Sequence, residues 1–119
     1  MEKRQSPQFK KWLRRLAADT RVRIMARINN ACDTGHFGDC KPLGEGLFEM
    51  RYNFAHGYRV YHGFWKEKLL LLTLGGDKSG QDEDIKRARK ILARMKEEEE
   101  CREQEERERR EREERERSL

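Results

Sequence analysis

The chain has 119 residues, 34% hydrophobic and 43% charged, with a net charge of +5. This leaves room for one domain at most, with part of the chain outside its core. Residues 1–95 carry 20 Lys/Arg against 11 Asp/Glu, net +9, whereas residues 96–119 carry 8 against 12, net −4. The folded part is therefore the basic part, and a basic compact domain meets nucleic acid, an acidic partner or an anionic surface. No run approaches membrane-spanning length, and Met1 to Pro7 has no apolar stretch behind it as a signal peptide would. The expectation is a cytoplasmic protein with no membrane partner. Cys32, Cys40 and Cys101 are odd in number and widely spaced. His36 lies four residues from both Cys32 and Cys40 without a fourth ligand, so neither a zinc site nor a disulfide framework is expected, and no metal or cofactor.

Ser6-Pro7 is a helix start, a capping hydroxyl followed by proline at the first helical position. Phe9, Trp12, Leu13 and Leu16 then make an apolar stripe. Asp19 or Thr20 caps a second helix with Val22, Met25 and Ile28 inward and Ile24, Ala31 and Cys32 flanking. Thr34 to Gly46 reads as a loop, rich in glycine and holding His36, Asp39 and Lys41.

Leu47 to Lys78 reads as three strands of an antiparallel meander. Phe48, Met50, Tyr52 and Phe54 alternate with Leu47, Glu49, Arg51 and Asn53, the pattern of a strand buried on one face only. Ala55-His56-Gly57 turns into Tyr58–Trp65, where Arg59 and Tyr61 share one side and His62 points to the other. Lys66-Glu67-Lys68 turns again, into Leu69–Leu74, apolar except at Thr73 and so buried on both faces. Gly75 to Gln81 lacks the GxxxxGK[ST] spacing of a P-loop, but its glycines would let Lys78 or the backbone approach a ligand closely.

Asp82 or Asp84 caps a third helix with Ile85, Ala88, Ile91, Leu92 and Met95 inward. From Glu97 to Arg117 nearly every residue is Glu or Arg, with no apolar heptad. Seven pairs place Glu four residues before Arg: Glu98/Arg102, Glu103/Arg107, Glu105/Arg109, Glu106/Arg110, Glu108/Arg112, Glu111/Arg115 and Glu113/Arg117. At about 0.2–0.5 kcal/mol each, they support a solvated helix continuing the third one. A disordered mixed-charge tail is the other reading. The division is thus a domain of residues 1–95 and an extension of residues 96–119.

The fold class expected is α+β, an N-terminal helical hairpin packed on a small antiparallel sheet with a C-terminal helix. Four motifs then stand in order: Gly38-Asp39-Cys40-Lys41-Pro42-Leu43, Glu49-Met50-Arg51, Gly57-Tyr58-Arg59-Val60-Tyr61, and Gly75 through Ile85. With them, residues 3 to 95 resemble the RelE/ParE superfamily of toxin–antitoxin toxins, and more narrowly its HigB-like addiction module killer proteins. The resemblance implies a first strand ahead of the hairpin, for which only Glu2 to Gln5 is available, so that strand should be short or frayed. The Glu/Arg extension exceeds what the family domain needs.

The resemblance implies a metal-independent endoribonuclease that cuts mRNA, on the ribosome in many cases, by attack of a ribose 2′-hydroxyl on the adjacent phosphate. It also implies a cognate antitoxin that covers the basic face and carries the pair to operator DNA. On this reading Arg59 clamps the phosphate, since a guanidinium stays charged and donates two hydrogen bonds to phosphate oxygens. Arg51 is second to it, Glu49 is a candidate base or the arginines' salt-bridge partner, and Lys78 supplies charge or a proton. Lys41, Tyr61 and Lys78 would bind RNA. The general base stays open. The alternatives are a ParE-like poison of DNA gyrase and a nucleic-acid-binding module without catalysis.

Overall fold

A capping hydroxyl opens the first helix as expected, and it also ties that helix to the sheet. Ser6 Oγ accepts from Phe9 N at 2.9 Å and donates to the carbonyl of Thr73 at 2.5 Å. The computed structural model describes residues 1–119 as β1 (Glu2–Gln5), α1 (Pro7–Arg14), α2 (Ala18–Thr34), β2 (Cys40–Gly44), β3 (Leu47–Arg51), β4 (Tyr58–Trp65), β5 (Leu69–Asp77), a 3₁₀ turn (Lys78–Gly80) and α3 (Gln81–Arg117). The sheet order is β1-β5-β4-β3-β2, antiparallel except where β1 runs parallel to β5.

The α+β class holds, and the meander of β3, β4 and β5 forms the centre of a five-stranded sheet. Two strands are added to it. β1 is short, as expected, and pairs Glu2–Gln5 with Leu69–Leu72. β2 arises inside the segment expected to be a loop, because Cys40 to Pro42 pair in register with Met50 to Phe48. Pro42 is tolerated there because an edge strand leaves one row of N–H groups unpaired.

Helices cover both faces. On one, Phe9 and Leu13 of α1 and Ile24, Ile28, Ala31 and Cys32 of α2 pack on Met50, Val60, Leu70 and Leu72. On the other, Ala88, Ile91, Leu92 and Met95 of α3 pack on Leu47, Tyr61, Leu71 and Leu74. This corrects the expectation that β3 is buried on one face only. Leu47 and Glu49 are as buried as Met50, because α3 lies over the face expected to be open.

Three further expectations change. α2 is rotated from the predicted phase, with Val22 68% exposed and Ile24 inward, since Ile24, Ile28, Ala31 and Cys32 make the continuous stripe. No side chain caps α2 or α3; Asp19 lies in the first turn of α2, and Asp77 caps the 3₁₀ turn instead through Ser79 N at 2.9 Å. Finally, Gly75 and Gly76 make room for protein, not for a ligand. A Cβ at Gly75 would run into the Trp12 ring from α1, and one at Gly76 into the Asp84 carboxylate from α3.

Candidate functional site

Arg59 stands on β4 in register with Arg51 on β3 and Gly76 on β5, so all three present the same face of the sheet, the face crossed by the start of α3. One step along, Lys41, Glu49, Tyr61 and Leu74 form the adjacent row. Two rows of one pleat thus carry five of the six expected site residues. The sixth, Lys78, comes from the turn after β5. A Cβ built on Gly57 would have Lys78 Cδ at 3.5 Å and Arg59 Nη1 at 3.9 Å, so the two cationic side chains converge over that turn. The Gly57 carbonyl accepts from Arg59 Nη1 at 3.3 Å.

Glu49 lies beneath them with no exposed surface. Its Oε1 is 3.6 Å from Arg59 Nε, and its Oε2 accepts from Gln81 Nε2 at 2.6 Å. A carboxylate held this way fixes the Arg59 guanidinium, whose side chain keeps 15% exposure, and ties the start of α3 to the sheet. Arg51 turns elsewhere. Its Nε and Nη2 donate to Asp39 Oδ1 at 3.2 and 2.9 Å, and Arg27 secures that corner by donating to the carbonyls of Phe37 at 2.8 Å, of Asp39 at 2.9 Å, and of Arg51. Arg51 and Arg59 therefore answer to different carboxylates, and neither pairs with Asp77.

Lys41 is exposed and makes no ion pair; it sits on edge strand β2 directly opposite Glu49. Tyr61, expected to bind RNA, is fully buried against α3, so no ring face is open to a base. Burial, then the nearby Glu49 and Asp84 carboxylates, raises its phenol pKa. Its hydroxyl, Glu49 Oε1 and Arg59 Nε are buried polar atoms without a hydrogen-bond partner. Unpartnered buried polar atoms gathered at one place mark a candidate site.

His62 points to the opposite face, as the strand alternation predicts. It stacks between Phe37 and Phe48 at centroid distances of 5.4 and 5.7 Å, with its Nε2 3.9 Å from Cys40 Sγ. Burial pulls its pKa down to about 4, so it is a neutral ring of the core near pH 7. The three cysteines are free, and no group of three or more His, Cys, Asp or Glu side chains is placed to hold a metal ion.

Gln81 and Asp84 belong to the site, although the sequence offers Asp84 only as a candidate helix cap and Gln81 only as the end of a turn. Their signal was present, because Gln81, Asp84, Ala88, Ile91 and Met95 follow one another at three- and four-residue spacing. The inward stripe of α3 therefore extends backwards through two polar residues, and polar residues on an inward stripe mark a buried polar site.

Comparison with known proteins agrees with this architecture. Residues 11–96 match the family described as Phage derived protein Gp49-like (DUF891). An uncharacterised protein of Haemophilus influenzae strain Rd is 44% identical over 86 residues, which cover 71% of this chain and 85% of that protein. Among solved structures, a mutant of the Escherichia coli toxin RelE in the free state superposes with a TM-score of 0.62 at 15% identity, covering 76% of this chain and 97% of that one. A chain of the intact E. coli RelBE toxin–antitoxin complex gives 0.55 at 15% identity, covering 64% of this chain and 94% of that one. These structures share the fold. No helix is long and apolar enough to cross a membrane. The match over residues 11–96 is the stronger link, and by it this chain belongs to the Gp49-like family of phage-derived proteins.

Proposed function

We propose that this protein is the toxin of a toxin–antitoxin pair and a metal-independent endoribonuclease that cleaves mRNA and so blocks translation in the cytoplasm, in the manner of the HigB-like group it resembles. The observation that carries the reading is the convergence of Arg59 and Lys78 over Gly57 above a buried Glu49–Gln81 pair. A guanidinium oriented from below, with a lysine side chain beside it, suits a phosphate whose charge grows in the transition state. Lys41, unpaired at the edge of the same face, extends the positive strip along which RNA would lie. Glu49 serves in this reading to hold Arg59. Arg51, locked to Asp39, frames the strip. Tyr61, buried beneath α3, supports the strip from the core and does not touch RNA.

The antitoxin partner follows from the RelE fold, seen with an antitoxin in the RelBE complex, and from the +9 charge of residues 1–95, which an acidic segment would complement. Operator binding would then belong to the antitoxin. A gyrase poison of the same fold has no use for an oriented arginine and lysine at this turn. Inducible expression in growing bacteria with mapping of mRNA 5′ ends tests the reading. Wild type is expected to arrest growth and fragment transcripts, and Arg59→Ala to do neither. Growth arrest by Arg59→Ala equal to wild type, with transcripts intact in both, removes the ribonuclease reading.

A further inference from the structure

We propose that Asp84 is the general base of the reaction inferred above, the group that takes the proton from the attacking 2′-hydroxyl beside Arg59; the proposal rests on that reading of the site. Asp84 Oδ2 lies against the bare backbone of Gly76, in the space a Cβ there would fill, and 3.4 Å from where a Cβ on Gly80 would stand. Gly76 is the strand neighbour of Arg59, so this carboxylate lies above the position next to the phosphate clamp, on the same face.

Of the other carboxylates nearby, all but the solvent-facing Asp82 are engaged. Glu49 is fully buried and held by Gln81 and Arg59. Asp77 accepts from Ser79 N at 2.9 Å and Ser79 Oγ at 2.5 Å, which holds its pKa below the usual carboxylate value. Asp39 is taken by Arg51, and Glu83 pairs with Lys86 at 3.5 Å. Asp82 faces solvent on the first turn of α3. Asp84 receives no hydrogen bond; its one charged partner is Arg87 at 3.9 Å, and its side chain keeps 17% exposure, enough to meet a substrate. Burial raises its pKa, opposed by Arg87 and reinforced by Asp77 and Glu83. A stronger base nearer to working pH is what proton abstraction favours.

In the step, the 2′-oxygen bonds to phosphorus as its proton passes to the Asp84 carboxylate. Charge on the non-bridging oxygens falls to Arg59. The bond from phosphorus to the 5′-oxygen breaks, and that oxygen takes a proton from the Lys78 ammonium. The products are a 2′,3′-cyclic phosphate and a 5′-hydroxyl, and exchange with water restores both side chains. Gly76 belongs to this arrangement, because any side chain there would displace the carboxylate.

The test uses the full chain and a synthetic mRNA, free and on translating ribosomes, with single-turnover rates measured against pH. Binding is followed in parallel on the same RNA carrying a 2′-deoxy residue at the cleaved position. Asp84→Asn is expected to slow cleavage by about 10²–10⁴-fold, to leave deoxy-RNA affinity within threefold, and to abolish the rise of rate with pH that wild type shows. Asp84→Glu should retain part of the rate with a shifted rise, and it carries the test if Asp84→Asn does not fold. An Asp84→Asn rate within fivefold of wild type, with Arg59→Ala inactive, overturns the base assignment alone. A slow Asp84→Asn that keeps the wild-type pH rise and loses affinity overturns it too, in favour of a positioning role. Wild type that leaves RNA uncut in both forms overturns the ribonuclease reading and this assignment together.

Discussion

Glu49 and His62 both lie at the sheet centre with no more than 1% of their surface exposed, yet they do opposite jobs. Glu49 is a buried charge with a cationic partner and an amide donor, an arrangement that tolerates burial because its partners replace water. His62 has aromatic neighbours and no charge partner, so the fold keeps it neutral, with a pKa lowered to about 4. The sign of its effect on stability follows. Below about pH 6.5 the unfolded chain binds a proton at this ring that the folded chain refuses until about pH 4. Stability is therefore full above that window, falls as pH drops through it, and is level below it, by at most about 3 kcal/mol. His62→Phe, which suits the stack with Phe37 and Phe48, should flatten the fall. Urea unfolding of both proteins from pH 7 to pH 4 measures this, and parallel curves would show that His62 takes up its proton without cost.

At the scale of elements, the tandem glycines of β5 are the joint of the molecule. Successive strand residues face opposite sides, so Gly75 receives Trp12 from α1 and Gly76 receives Asp84 from α3. One dipeptide thus sets how closely the N-terminal hairpin and the C-terminal helix approach the sheet. Gly75→Ala forces its Cβ into the Trp12 ring and should cost about 1–3 kcal/mol, the usual range for overpacking a core. A denaturant midpoint equal to wild type would mean that α1 shifts freely. The bulge near Thr73 adds a second constraint, with Thr73 Oγ1 donating to the Tyr61 carbonyl at 2.7 Å while the Thr73 carbonyl accepts from Ser6. It lets Leu72 and Leu74, two residues apart on one strand, serve opposite cores at the point where the ladder slips.

At the scale of the whole molecule, α3 sets the 63 Å long axis, against 27 and 24 Å across. Its contact with the body ends in charged side chains. Glu99, nearly buried, takes Arg4 at 2.9 Å and also Arg102, while Glu103 accepts from Trp65 Nε1 at 2.7 Å and Lys66 Nζ at 2.6 Å. Beyond Glu103 the helix stands in water. Of the seven predicted Glu-to-Arg pairs, two close within 4 Å, Glu106/Arg110 at 2.9 Å and Glu113/Arg117 at 3.8 Å; Arg102 turns to Glu99 instead of Glu98. Removing residues 105–119 should leave the unfolding free energy within about 0.5 kcal/mol, as for surface changes that touch no core. The helical circular dichroism lost by that truncation should shrink when measured in 1 M salt, where exposed pairs are screened. A loss of stability above about 2 kcal/mol, or a salt-independent difference, would show that the tail packs on the body.

Local pattern alone determined the Ser6-Pro7 start of α1, the three central strands, the opposed faces of Arg59 and His62, and the inward stripe of α3. Each of these depends on residue type and a period of 2 or 3.6, which neighbours in the chain carry by themselves. The shared face of Arg59, Arg51, Glu49 and Lys41 was half legible, since alternation gives a side but not a partner. Only tertiary packing decided that Glu49 belongs to Arg59 while Arg51 belongs to Asp39, that Tyr61 is core, and that Gly75 and Gly76 make room for Trp12 and Asp84. The physical reason is that burial and pairing are properties of two surfaces brought together. β3 looked open on one side because its own residues cannot say that α3, thirty residues later, will lie across it.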